Sequence, residues 1–176
     1  MTLRFTKDYH CHKKGWINQI EGYACLIKEI YKDYPNMAVL FDGLPQEQDL
    51  MDKIINLIPA SVKVYNGLHC SIHETIIWAF AIDTYIAVVG SGLTLVTWIA
   101  NKPGVAHSER AHLGQQSWWI EVRENMVLPT FISSEHIKDI VGPDGKTPYC
   151  NYDCDWQIIY QEVVKIVASL KKVVKY

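Results

Sequence analysis

Between Thr2 and Ser108 the chain alternates short apolar runs with longer segments whose apolar residues recur at helical spacing. "TLRFT" (residues 2–6) reads as a first strand. The segment 15–34 follows as a helix, with Trp16, Ile20, Ala24, Ile27 and Tyr31 on one face, and Asp33-Tyr34-Pro35-Asn36 stops it. "MAVLFDG" is a second, buried strand. "QEQDLMDKIINLI" is an amphipathic helix through Leu50, Ile54, Leu57 and Ile58, broken by Pro59. "SVKVYNG" is a third strand, and "SIHETIIWAFA" a third helix with Ser71 and Glu74 at capping-box spacing. "TYIAVVG" and "LTLVTWIAN" form the fourth pair, and "GVAHS" is a fifth strand.

Apolar strands without polar interruption, alternating with helices, predict a parallel sheet covered on both faces. The expected fold class is α/β: a single doubly wound Rossmann-like domain over residues 1–176, with a parallel sheet of about five strands. Residues 85–89 should form its central strand. After Ser108 the rhythm breaks into a polar, aromatic stretch, with a short strand and a short helix expected near "SSEHIKDI". Trp118 and Trp119 are adjacent, so in a strand they would face opposite ways and at most one would enter the core. A long C-terminal helix carries a stripe of Trp156, Ile159, Val163, Ile166, Leu170 and Val173.

Composition narrows the function classes. The chain has 176 residues, 49% of them hydrophobic, and a formal net charge of -2. Lys and Arg are not massed on one segment, which argues against a nucleic-acid partner. No apolar run reaches the roughly 18 residues of a membrane helix, and no signal-peptide core opens the chain. Five cysteines, an odd number without a CxxC pair, read as mostly free thiols, consistent with a cytoplasmic location. His10, Cys11 and His12 resemble half a metal cluster, but no second ligand pair has zinc spacing, so no metal is expected. Cys150 and Cys154 flank what reads as a turn-to-helix junction, where burial explains them best.

In open parallel sheets, ligands bind outside the carboxyl ends of the strands. The residues following the five strands are rich in Lys, His, Asp, Ser and Gly, as a nucleotide site requires. Gly90-Ser91-Gly92 has two readings. It is an anion-binding helix start, or a tight turn that lets strand and helix pack closely. It is not the dinucleotide fingerprint, because Leu95 stands where the third glycine belongs and the motif follows the fourth strand.

Residues 64–108 resemble the donor-binding, C-terminal half of GT-B glycosyltransferases, most of all the heptosyltransferase type. The resemblance lies in the order "VYNGLHCSIHE", "AIDTYIAVVG", "GSGLTLVTWIA" and "NKPGVAHS". It extends backward, less specifically, through "VLFDGLPQEQD" and "KKGWINQIEGYACLI". Ser91 and Gly92 match the family's anion loop, while Gly90 stands where the family has Asp and Leu95 where it has His. Lys14 matches the basic loop that faces the donor phosphates, and Asp42 or Glu47 falls near the ribose-binding acid.

The resemblance implies a nucleotide-sugar donor domain for polysaccharide biosynthesis, working without metal or cofactor. Lys14 and His12 are the expected catalytic residues; Asp42, Glu74, Gly90, Ser91, Gly92, Thr94 and Arg110 are expected to bind substrate. His69 and His107 are further candidates for a general base. His107, Glu109, Arg110 and His112 follow the fifth strand and have no family counterpart; Arg110 is a candidate on its own chemistry, to hold a phosphate or a surface carboxylate. A GT-B enzyme has two such domains and this chain has room for one. Either the chain is a fragment of a longer protein, or a second chain supplies the half that holds a glycan or lipid-linked acceptor, in the cytoplasm or at the inner membrane surface, or it is a relic. The alternative is a non-catalytic α/β binding or interaction module derived from the same fold. A hydrolase has no G-x-S-x-G elbow to support it.

Overall fold

The computed structural model describes residues 1, 15–119, 124–141 and 150–173. The first expected strand, residues 2–6, lies outside the described residues. The architecture is mixed α/β. In chain order it runs α1 (Gln19–Asp33), β1 (Ala38–Phe41), α2 (Gln48–Ile55), β2 (Lys63–Asn66), α3 (Ile72–Ala81) and β3 (Tyr85–Val88). Then come α4 (Ser91–Thr94), β4 (Gly104–His107), α5 (Arg110–Leu113), β5 (Thr130–Phe131), β6 (Ile137–Ile140), β7 (Asn151–Cys154) and α6 (Trp156–Val173).

Among the described residues the parallel strands fall into two small sheets rather than one of about five strands. β1 pairs with β2, and β3 with β4, which in turn pairs with β5. β3 is buried along its whole length, as its apolar run predicts, yet among the described residues it stands at the end of its three-stranded sheet. β2 is exposed or half-buried throughout, because Lys63 and Asn66 bracket it. The short helix and short strand expected near "SSEHIKDI" are both present: a 3-10 turn at Ser134–His136 leads into β6, which pairs antiparallel with β7. Cys150 and Cys154 bracket β7 and are both buried. Burial pushes their thiols up to about 11 and about 12 respectively, so both are held protonated.

Helices α1 and α6 pack together on the core. α1 buries Tyr23, Leu26, Ile27 and Ile30, and α6 buries Ile159 and Val163 from its apolar stripe. Trp16 precedes α1 and lies flat on Gly22. A Cβ at that glycine would sit 2.0 Å from the indole, so the position admits nothing larger. Tyr85 covers Gly104 of the neighbouring strand in the same way. Trp118 and Trp119 separate as expected, 66% and 5% exposed, but from a 3-10 turn at Gln116–Trp119 rather than a strand. Trp119 packs against Trp98 with ring centroids 5.2 Å apart.

Candidate functional site

The sheet ends place the candidate residues in two groups. The first surrounds a cavity of about 1000 Å³ between β1 and β3. Ala38 and Leu40 line it from one strand, Tyr85 and Ile86 from the other, with Asp42 and Gly92 at the carboxyl ends. Asp42 follows β1, and its backbone N–H donates to the Met1 carbonyl at 2.9 Å. The Met1 ammonium donates to the Leu40 carbonyl at 2.7 Å. Burial pushes that ammonium down to about 6, against the opposing pull of the Asp42 carboxylate. Two hydroxyls on this cavity, those of Thr84 and Tyr85, are buried without a hydrogen-bond partner.

Gly90 caps α4 with extended backbone, φ 162°. Nothing in that conformation demands a glycine. α4 runs directly into a π turn at Leu95–Ile99, where Thr97 donates to the Leu93 carbonyl at 2.7 Å. Asn101, at φ 53°, ends the segment in the left-handed region that asparagine tolerates. Ser91 is exposed; Gly92 and Thr94 are half-buried.

Glu74 serves α3: its carboxylate accepts from the Ser71 N–H at 2.8 Å and hydroxyl at 2.7 Å. Those bonds hold its pKa below the ordinary carboxylate value. Glu47 is buried and accepts from the Leu44 N–H at 2.5 Å, close over Gly43.

The second group follows β4. His107 is fully buried between two tyrosines, Tyr152 Oη lying 2.8 Å from Nδ1 and Tyr23 Oη 3.4 Å from Nε2. Trp16 meets its ring edge-on at 5.4 Å. Burial lowers its pKa to about 3, so it is neutral at physiological pH. A neutral imidazole offers one N–H and one lone pair, and tyrosine hydroxyls can satisfy either. Ser108 donates to Glu109 at 2.5 Å, and the other Glu109 oxygen meets His112 Nδ1. Glu109 is fully buried, so this pairing offsets the cost of removing a carboxylate from water.

Arg110 belongs to neither group. Its N–H donates to Asp139 at 3.0 Å and its Nε to the Ser134 carbonyl at 3.1 Å, tying α5 to the β6 region. His69 is exposed. Lys14 and His12 lie outside the described residues, as do His10 and Cys11. Asp42 and Gly92 are thus the two expected binding residues that share a cavity. The tyrosine clamp on His107 escaped the sequence reading, since its partners stand 84 and 45 residues away.

Compared with protein-family models, curated proteins and solved structures, the chain matches none. Among the described residues no group of three His, Cys, Asp or Glu could hold a metal ion, and no helix is long and apolar enough to cross a membrane.

Proposed function

We propose that the chain is the donor-binding domain of a GT-B-type glycosyltransferase, taking a nucleoside-diphosphate sugar at the carboxyl edge of its parallel strands. The observation that carries this reading is the meeting of Asp42 and Gly92 on one cavity from the ends of β1 and β3. Among the described residues β1 pairs with β2 and β3 with β4, which supports reading the space between β1 and β3 as the point where a doubly wound sheet would reverse its order. Ligands of such sheets bind at that reversal.

In this reading Asp42 accepts from a ribose hydroxyl. The N–H groups at Ser91 and Gly92, at the start of a helical run of nine residues, face the diphosphate. Lys14 neutralises charge on the departing nucleoside diphosphate, by resemblance. His107 takes no part in proton transfer, because both ring nitrogens meet tyrosine hydroxyls and burial keeps it neutral. The base and the acceptor site come from a second domain, so this chain alone binds donor and transfers no sugar.

Calorimetry with UDP, GDP and ADP tests the reading. One of the three should bind, and Asp42→Ala should weaken it roughly tenfold or more, the loss of a hydrogen bond to a charged group. Lys14→Ala should weaken it similarly. No binding of any nucleotide, or binding indifferent to Asp42→Ala, would favour the non-catalytic module instead.

A further inference from the structure

Helix α3 is apolar on both of its sides. Of its 10 residues only His73, Glu74 and Thr75 are polar. At about 100° per residue, Thr75, Trp78 and Ala79 share one side, and these three line the cavity. Ile72, Ile76, Ile77 and Phe80 share the other side with His73. Ile72 is 59% exposed, Ile77 67% and Phe80 54%. Other helices are built differently. The outward faces of α1 and α2 carry exposed charges, such as Lys28 and Lys32 on the first and Asp52 and Lys53 on the second. A helix that is apolar all round is a buried helix, so the outer side of α3 has the composition of a covered surface.

We propose that this face is covered by the same face of a second copy of the chain, the two α3 helices lying antiparallel about a two-fold axis near Ile76 and Ile77. The polar groups at the two ends of α3 fit that arrangement. His69 and His73 stand at its amino end and Asp83 just past its carboxyl end, all three exposed. Antiparallel packing brings Asp83 of one copy between the partner's His69 and the partner's His73, whose ring N–H groups donate to the carboxylate. Symmetry makes that contact twice. A parallel pair would set Asp83 against the partner's Asp83 instead. Glu74 does not oppose the pairing, because its carboxylate is turned to the Ser71 N–H and hydroxyl. In the middle of the contact, Phe80 meets the partner's Ile72, and Ile77 meets the partner's Ile76.

The area is of the right order. At roughly 150–200 Å² for a large side chain in full, Ile72, Ile77 and Phe80 expose about 300 Å² per copy. Two copies supply about 600 Å², half of the roughly 1,200 Å² at which specific interfaces begin, and apolar atoms make up little more than half of such interfaces. A dimer in the micromolar range follows. A bilayer fits less well. α3 has no Lys or Arg, the residues by which a helix lying on a membrane holds anionic headgroups. The inference stands apart from the nucleotide reading, since the cavity side of α3 is turned away from the contact.

Sedimentation velocity on the intact chain, from roughly 1 to 100 μM, tests it. The chain should pass from monomer to dimer within that range. Ile77→Lys changes an exposed side chain, so its circular dichroism and Tm should match the parent, while its dimer should weaken by roughly tenfold or more. Asp83→Lys alone should weaken the dimer roughly fivefold, and adding His73→Asp should restore it. A monomer at every concentration would overturn the proposal, and co-sedimentation of that monomer with phosphatidylcholine vesicles would assign the face to a membrane. A dimer untouched by both Ile77→Lys and Asp83→Lys would overturn it as well, by placing the contact elsewhere. Failure of His73→Asp to restore the Asp83→Lys dimer would overturn the antiparallel arrangement.

Discussion

The two ends of β3 and β4 handle buried polarity in opposite ways. Around His107, nearly every buried polar group is matched: two tyrosine hydroxyls on the imidazole, Ser108 and His112 on Glu109, Trp16 Nε1 on Asp153 at 3.3 Å. Beside β1, a cavity of about 1000 Å³ is lined by Thr84 and Tyr85, whose hydroxyls are buried without partners. An unsatisfied buried group costs about 1–3 kcal/mol, so the first region offsets its burial with hydrogen bonds and the second does not. Polar residues at a strand end therefore do not by themselves mark a site. His107 looks chemical in the sequence and is structural in the fold.

This contrast can be broken at several points. The largest effect should come from Gly22→Val, which drives a branched side chain into Trp16 and through it into the His107 cluster. A loss of about 3 kcal/mol in urea unfolding is expected. A variant of wild-type stability would mean that Trp16 has another place to pack.

His107 makes stability depend on pH. Its folded pKa is about 3 against 6.5 for the free side chain. Between those values the unfolded chain binds a proton that the folded chain does not, so stability falls as pH falls. The slope reaches about 1.4 kcal/mol per pH unit once pH is well below 6.5. Carboxylates titrate at the lower end of that window, so the clean comparison is pH 6.5 to 5 with His107→Gln, whose profile should be flatter there. Parallel profiles for the two proteins would show that His107 is not sealed from solvent.

Two tyrosine-to-phenylalanine changes set the regions directly against each other. Tyr152→Phe strips a partner from His107 and should cost about 1–3 kcal/mol. Tyr85→Phe removes a buried hydroxyl that has no partner and should raise stability, by about 1 kcal/mol or more. Thermal or urea unfolding of the pair measures both. Equal losses would erase the distinction. Between them falls Ser71→Ala, which opens the capping box of α3 and should cost about 1 kcal/mol while leaving any nucleotide affinity unchanged. An affinity loss in that variant would return Glu74 to the binding site.

Local pattern carries much of this molecule. The apolar run over Tyr85–Val88 predicts a buried strand, the Ser71–Glu74 spacing predicts a cap, and the stripe from Trp156 predicts α6; each depends on residues within a few positions of one another. Strand direction follows as well, because helices between strands force parallel crossovers. The short helical turn and strand at Ser134–Ile140 follow from local pattern too, but that β6 pairs antiparallel with β7 does not. Long-range pairing was not legible at all. Neither Tyr23 nor Tyr152 carries a mark that sends its hydroxyl to His107, and nothing near Arg110 announces that Asp139 and Ser134 will hold it. Those matches arise when distant segments close around one point and buried polar groups must find partners there. The division of the described parallel strands into two sheets is decided at the same level: each strand's propensity is local, but which strand it pairs with depends on which segment reaches it in space.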